Sequence, residues 1–509
     1  MATYSVSPQN EMFELPGAVN TSVEAAEVRE LCRAEREKGR QIVVVQGLGF
    51  VGAVMSAIVA DSEVDGRSPY FVLGVNRPSA GSYWKIPLIN RGLSPFKTQD
   101  PEVDRVFHSV NRKGTLRATW VPEAYGEADI VIVDIGLDAV KSEPGKAQDS
   151  GVAIEAFKNA IDEVGHRMRP DTLVLIETTV PPGTVEHVAK PIIERCFLER
   201  GIDLSQHQPL IGYSYERIMP GDHYVESVSK IWRTFSGTSE EARRRTKELL
   251  SSIIDTKSFP LWSLANPTAA EMAKVLENSY RAMNIAFIYE WTLFAEDVGI
   301  NMFEVVNSIR VRKGTHDNMM FPGLGVGGYC LTKDPILADW ASRAFFGRKE
   351  RLNLSLEAVN INDLMPHHTI ELLKRSMDLK GRKVTILGAS YRRDVDDTRN
   401  SPSAIVYDDI VREGGVPVLH DPYATVMEGR EDLEVLEDLA EALKDASAVV
   451  LAVNHRQYKG LSIDGLTAGV REGATFIDAF DVLSDSTIAG LKSKGFPVFG
   501  YGKGHIKYL

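Results

Sequence analysis

Cysteine is nearly absent: Cys32, Cys196 and Cys330 are the three in a chain of 509 residues. Cysteines so widely spaced make neither a disulfide framework nor a metal-ligand pattern, so no metal is expected, and a reducing cytoplasm is the expected compartment. Long hydrophobic runs are lacking too. Apolar stretches such as QIVVV (41–45) and SAVVLAV (447–453) fall far short of a membrane span. The first twenty residues have neither the basic start nor the apolar core of a signal peptide. An excess of positive charge is also missing. The formal net charge of −12 argues against a nucleic-acid or anionic-membrane surface, though not against a local basic pocket for phosphate.

What is present is a soluble globular composition, 43% apolar and 25% charged, in a chain too long for one ordinary core. Residues 1–40 read as an extension holding one surface helix, capped near Thr21 or Ser22 and stopped at Gly39. From 41 to 262, short apolar strands alternate with helices, the pattern of a parallel doubly wound sheet. Residues 263–365 are helical. Their first helix is capped by Asn266 and Pro267 and runs unbroken to Gly299, with Met272, Val275, Leu276, Met283, Phe287 and Phe294 at helical spacing. A helix this long bridges domains, pairs with a partner chain, or is the core helix of one domain. Strand–helix alternation returns over 366–509. The expected fold is therefore α/β, with two Rossmann-like doubly wound domains joined by a long central helix.

Several segments carry chemistry. In GLGFVG (47–52), Gly47 allows a tight turn, Gly49 lets backbone approach a pyrophosphate and Gly52 lets helix pack on strand. The helix start supplies amide donors. An acid expected at the end of the second strand is replaced by Asn76, followed by Arg77. Asn76 can still hold a ribose hydroxyl, whereas Arg77 would suit a 2′-phosphate, so NAD is expected with NADP possible. Thr178 and Thr179 end another strand at the carboxyl edge of the sheet, where ligands bind; capping of the turn is the simpler role. Glu216, beside Arg217, is a loop carboxylate able to act as a base or to lie solvated. Lys274 and Asn278 share one helix face and would steady a developing oxyanion, or simply face water. Cys330 sits in GLGVGGYCLTKDP (323–335), where glycines permit close backbone approach and Lys333 would favour a thiolate. A thiolate adds to an aldehyde, and the adduct loses a second hydride to give a thioester. The alternative is a small buried apolar residue.

Together, GLGFVG, ETTVPPGT (177–184), YERIMPG (215–221), AEMAKVLENSYRA (270–282), the cysteine segment and GASYRRDVDDTRNSPS (388–403) resemble the nucleotide-sugar 6-dehydrogenases. That group oxidises UDP-glucose, GDP-mannose or UDP-N-acetylhexosamines. The resemblance runs from about Gln41 to the end. It implies four-electron oxidation of a sugar C6 alcohol with two NAD⁺ and no release of aldehyde. Cys330 would be the nucleophile, Lys274 and Asn278 would steady the alkoxide and oxyanion, and Asp334 and Thr179 would hold or activate a water. Glu216 would serve thioester hydrolysis. Gly47, Gly49, Phe50, Val51, Gly52, Asn76, Arg77, Thr178 and Lys333 would bind the cofactor. Arg217, Gly327, Gly328, Tyr391, Arg392 and Arg399 would bind the nucleotide sugar, with Arg312, or alternatively Arg310, supplied across a subunit boundary. The resemblance also implies a homodimer or larger homo-oligomer built on the central helix. Departures from the pattern fall at Asn76, VDIGLD (133–138), Tyr215, Tyr289, Arg392 and Phe480. NINDLMP (360–366) and PGLGVGG favour a UDP-N-acetylhexosamine, with UDP-glucose next. The rivals are a two-electron hydroxyacid-type dehydrogenase and a non-catalytic nucleotide-sugar sensor.

Overall fold

The structure, a computed structural model, describes residues 3–96, 98, 100–217, 221 and 223–509. It divides into two compact units. The first holds residues 1–138, 152–275 and 340–349, and the second holds 139–151, 276–339 and 350–509. The helical middle thus contributes to both.

The first unit is built on an eight-stranded sheet. Its spatial order is Trp262–Ser263, Thr234–Gly237, Leu210–Tyr213, Leu173–Ile176, Ile130–Val133, Gln41–Gln46, Tyr70–Val75 and Leu116–Thr119. All neighbours run parallel except Leu210–Tyr213 against Thr234–Gly237. The order reverses between Gln41–Gln46 and Ile130–Val133, the switch point at which doubly wound sheets bind ligands. Continuous apolar strands such as Tyr70–Val75 are buried on both faces, as helix-covered parallel sheets require. The helix Phe50–Asp61 has nine buried residues because it is enclosed beside that sheet.

The amino-terminal extension is part of this unit. Its helix spans Ala18–Glu37, starting earlier than the expected cap because Thr21 and Ser22 direct their hydroxyls back to the carbonyls of Gly17 and Ala18 from within the helix. Glu24 accepts from the Thr119 hydroxyl at 2.7 Å and pairs with Arg117, and Cys32 is fully buried. Tyr4–Val6 and Met12–Glu14 form a short hairpin with no counterpart in the sequence reading.

The second unit carries six parallel strands in the order Val435–Leu436, Val416–His420, Lys383–Leu387, Ala448–Leu451, Thr475–Asp478 and Val498–Gly500. This repeats the doubly wound order of the first. The helix Pro402–Arg412 begins where expected, with the Ser401 hydroxyl accepting from the Ser403 amide.

The long helix is Pro267–Val298, with Asn266 accepting from the Ala269 amide and Gly299 at φ +81° ending it. Its apolar residues do not form one core stripe. Val275 is buried, whereas Met272, Leu276, Phe287 and Phe294 are each about half exposed or more, together with Tyr280, Trp291 and Val298. Among the described residues, no helix is long and apolar enough to cross a membrane.

Candidate active site

The glycine turn after Gln41–Gln46 has the predicted mechanics. Gly47 adopts φ +97°, and a Cβ there would lie 2.7 Å from the Asp134 carbonyl. A Cβ at Gly52 would strike the Gly47 carbonyl at 2.0 Å. At Gly49, directly before the helix Phe50–Asp61, a Cβ would meet nothing within 4 Å. Open space in front of a helix start is what a pyrophosphate needs. Phe50 and Val51 are half-buried, and Phe50 stacks on Phe96 at 4.3 Å.

A cavity of about 240 Å³ lies beside this turn, lined by Gln46, Gly47, Asn76, Arg77, Trp120 and Tyr125 among others. Asn76 does not point a free carbonyl into it: its Oδ1 accepts from the Leu48 amide at 3.3 Å. Arg77 is largely exposed and pairs with Glu163 at 3.4 Å. The acid missing from the second strand's end is thus matched by a carboxylate from another element, the helix Glu155–Gly165.

Thr178 and Thr179 are buried at the carboxyl end of Leu173–Ile176. Glu177, just before them, is fully buried and accepts from Arg233 at 2.6 Å, while Arg233 also donates to the Ser214 carbonyl at 2.9 Å. Burial outweighs the guanidinium and raises the Glu177 carboxyl above its usual range. Asp134, from the atypical VDIGLD segment, is held well above the usual carboxylate range by burial and then by the neighbouring Glu177 and Glu216 charges.

Lys274 and Asn278 are not an exposed polar face; both are buried on the long helix. Lys274 donates to the Glu216 backbone carbonyl at 3.1 Å and lies over the ring of Tyr215, 5.3 Å from its centroid. The Tyr215 hydroxyl accepts from Arg217 at 3.2 Å. The end of YERIMPG containing Pro220 lies outside the described residues. One turn before Lys274, Glu271 is fully buried and accepts from the Gly183 and Val185 amides, so it ties the helix to the ETTVPPGT turn. Burial, opposed by those two amides, pushes its carboxyl up to about 8.

In the second unit, Cys330 is half-buried, and its carbonyl accepts from the Lys333 and Asp334 amides at 3.2 and 3.0 Å. The cysteine therefore lies in the turn that leads into the helix Asp334–Ala344. Asp334 is fully buried, accepting from Asn278 Nδ2 at 2.6 Å and from Lys333 Nζ at 3.2 Å. The Lys333 cation is thus engaged by Asp334 and the face of Tyr329, 4.7 Å from its centroid. The glycines before Cys330 are pressed against the GASYRRDVDDTRNSPS segment. A Cβ on Gly327 or Gly328 would lie 2.3 or 2.8 Å from Tyr391, and Gly328 holds φ +78°. The Gly328 amide donates to the Arg399 carbonyl at 2.8 Å. Arg399 forks onto Asp397 at 2.9 and 2.6 Å, and burial pushes the Tyr391 hydroxyl up to about 12. The side chain of Arg392 is exposed, as is that of Arg312. Phe480 occupies the space beside Gly323, where a Cβ would lie 2.5 Å from its ring.

Three family models match in sequence order: the NAD-binding domain of the UDP-glucose/GDP-mannose dehydrogenase family at residues 41–254, its central domain at 268–363 and its UDP-binding domain at 385–485. The chain belongs to the UDP-glucose/GDP-mannose dehydrogenase family. It is an NAD-dependent oxidoreductase of the nucleotide-sugar type. It is 29% identical to a UDP-N-acetyl-D-mannosamine dehydrogenase of Pyrococcus horikoshii, over 91% of this chain and 100% of that protein. A relative of the same description from Methanocaldococcus jannaschii is 27% identical over 92% of this chain and 97% of its own length. A crystal structure described as NDP-N-acetyl-D-galactosaminuronic acid dehydrogenase from Methanosarcina mazei superposes with a TM-score of 0.75 at 29% identity, covering 94% of this chain and 98% of that one.

Family motifs drew attention to Lys274, Asn278, Cys330 and Asp334, but not to the residues that brace them. Glu271 had a usable signal, lying three residues before Lys274 on the same helix face. Arg233 and Glu163 had none, since their partners are 56 and 86 positions away.

Proposed function

We propose that this dehydrogenase oxidises the C6 hydroxyl of a UDP-N-acetylhexosamine to the carboxylate through a covalent adduct on Cys330, with UDP-glucose the next candidate. The observation that carries the reading is the buried Asn278–Asp334–Lys333 set, in which Lys333 and Asp334 follow three and four residues after Cys330 and donate their amides to its carbonyl. The substrate class rests on the relatives, which are described as N-acetylhexosamine enzymes, and on the NINDLMP and PGLGVGG segments.

The bound nicotinamide supplies the chemistry of hydride acceptance. The chain's own residues do the rest. The Lys274 ammonium offsets the charge that develops on the C6 oxygen as its proton leaves. Once the first hydride has also left, C6 is an aldehyde; the Cys330 thiol loses its proton as its sulfur bonds to that carbon, and Asn278 donates to the resulting oxyanion. After the second hydride departs, the carbon is a thioester. Asp334 orients a water to attack it, a step in which the family resemblance also implies Thr179 and Glu216; the C–S bond breaks and the thiol regains a proton. Tyr391, Arg399 and the Gly327–Gly328 turn hold the nucleotide sugar, and a reduced thiol used with NAD fits a cytoplasmic enzyme.

NAD is the preferred cofactor, because Glu163 both occupies Arg77 and would repel a 2′-phosphate. A panel of nucleotide sugars with NAD⁺ or NADP⁺, followed by absorbance of the reduced cofactor, tests this directly. Turnover with UDP-N-acetylhexosamines and NAD⁺ is expected. Silence across the panel would favour the binding-only rival, and preference for NADP⁺ would overturn the reading of Arg77.

The exposed apolar stripe on the long helix supports a homodimer. Met272, Leu276, Tyr280, Phe287, Trp291, Phe294 and Val298 are each 47–64% exposed at helical spacing, and their continuity is unlike the scattered apolar residues of a monomer surface. Replacing Phe287 and Phe294 by glutamate is expected to convert a dimer to a monomer in light scattering. An unchanged mass would place the interface elsewhere.

A further inference from the structure

Away from the residues assigned above, two helices of the first unit bring a thiol, an imidazole and a carboxylate together. Asp162 lies on Glu155–Gly165, His166 follows as its C-terminal cap, and Cys196 lies on Lys190–Glu199. Among the described residues this is the one such group, with its ligand atoms all within 4.8 Å of one another. Cys196 Sγ is 3.4 Å from His166 Nδ1 and 3.7 Å from Asp162 Oδ1, and His166 Nδ1 is 3.2 Å from Asp162 Oδ2. A tetrahedral zinc ion with ordinary bond lengths has ligand–ligand edges of about 3.4–3.6 Å. The Sγ–Nδ1 and Nδ1–Oδ2 separations are close to two such edges, whereas the Sγ contact runs to the other carboxylate oxygen, Oδ1, so the Asp162 carboxylate must turn for one of its oxygens to complete a face.

A second feature points the same way. The other ring nitrogen, His166 Nε2, lies 2.9 Å from Glu199 Oε2. A carboxylate behind a ligating histidine fixes the ring and raises the basicity of the nitrogen facing the metal. Close approach of the helices is allowed by Gly165, where a Cβ would lie 3.0 Å from Cys196 Sγ. Asp162 also pairs with Arg195, through Oδ1. Its Oδ2 stays turned towards His166, so one carboxylate serves both partners.

We propose that Cys196, His166 and Asp162 form a binding site for a thiophilic divalent cation of the zinc class, separate from the oxidation chemistry, with Glu199 as its positioning residue. On binding, the Cys196 S–H bond breaks, its proton goes to solvent and the sulfur bonds to the metal. His166 releases to solvent the Nδ1 proton that it donates to the Asp162 carbonyl at 2.9 Å, keeps a proton on Nε2 towards Glu199, and offers the Nδ1 lone pair. No electrons are exchanged, and the fourth position is left to water. Burial and the Asp162 carboxylate raise the thiol above its usual range, opposed by Arg195, so the metal must compete with that proton. Cysteine–cysteine spacing carries no sign of such a site. Here the ligands are an i,i+4 pair and one residue thirty positions on.

Cobalt(II) titration of the metal-stripped, full-length Cys330→Ser protein tests the site without interference from the half-buried Cys330 thiol. One equivalent should bind and give a thiolate-to-cobalt charge-transfer band, and zinc should displace it. The band should vanish in Cys330→Ser/Cys196→Ser. Glu199→Gln, at an exposed position, should keep the band but weaken affinity about 10- to 100-fold. Absence of the band in the Cys330→Ser protein, its persistence after Cys196→Ser, or an unchanged affinity in Glu199→Gln would each overturn the proposal.

Discussion

Cys330→Ala is expected to lower uronic acid formation by about 10⁴-fold or more, the scale on which removal of a covalent nucleophile is felt. Without sulfur, the aldehyde has no tether, and the second oxidation loses its adduct. The first hydride transfer does not need the thiol, so a slow single turnover of NADH formation should survive. Cys330→Ser keeps a nucleophile, but an alcohol in this turn is far from ionised at neutral pH. Its adduct would be an ester rather than a thioester, hydrolysed more slowly, and intact mass should show the sugar-bound protein accumulating. Acid formation at the parental rate by either variant would rule out covalent catalysis at this position.

Arg233→Met should produce the largest loss of stability. Both members of the Arg233–Glu177 pair are about 1% exposed. Removing the arginine leaves a carboxyl buried with no cation and removes a donor from the Ser214 carbonyl. Breaking a buried pair from one side costs about 3–5 kcal/mol. Chemical denaturation, read from fluorescence changes in the first unit, measures it. Glu177→Gln added to Arg233→Met should recover much of the loss, since it removes the orphaned charge. No recovery would mean that Arg233 acts through packing instead of charge. Because Glu177 adjoins Thr178 and Thr179, Arg233→Met should also impair turnover in the fraction that remains folded.

Strands that are apolar without interruption, such as Gln41–Gln46 and Ala448–Leu451, were legible because burial on both faces leaves one reading of the chain. Leu116–Thr119 and Thr234–Gly237 were not, because LRAT and TFSG carry little apolar signal and take their place from neighbouring strands. Periodicity found the long helix to within a residue but not the use of its faces. Val275 and Leu276 are adjacent apolar residues, yet one is buried and the other is among the most exposed on the helix. Likewise, Lys274 and Asn278 read alone look like a solvated face. The family pattern favoured the alternative, a pair that steadies an oxyanion, and the structure buries both, Lys274 against Glu216 and Asn278 against Asp334. Motifs name the reacting groups, whereas distant supports such as Glu271 and Arg233 depend on a fold that brings remote segments together.

The central claim is that one site removes four electrons without letting the aldehyde go. Its most direct measurement is the ratio of NADH formed to nucleotide sugar consumed, with the product's C6 oxidation state identified by mass. The account predicts two NADH per sugar and a carboxylate from the earliest time points. A ratio of one, with free aldehyde or a ketone as product, would contradict it and favour a two-electron dehydrogenase.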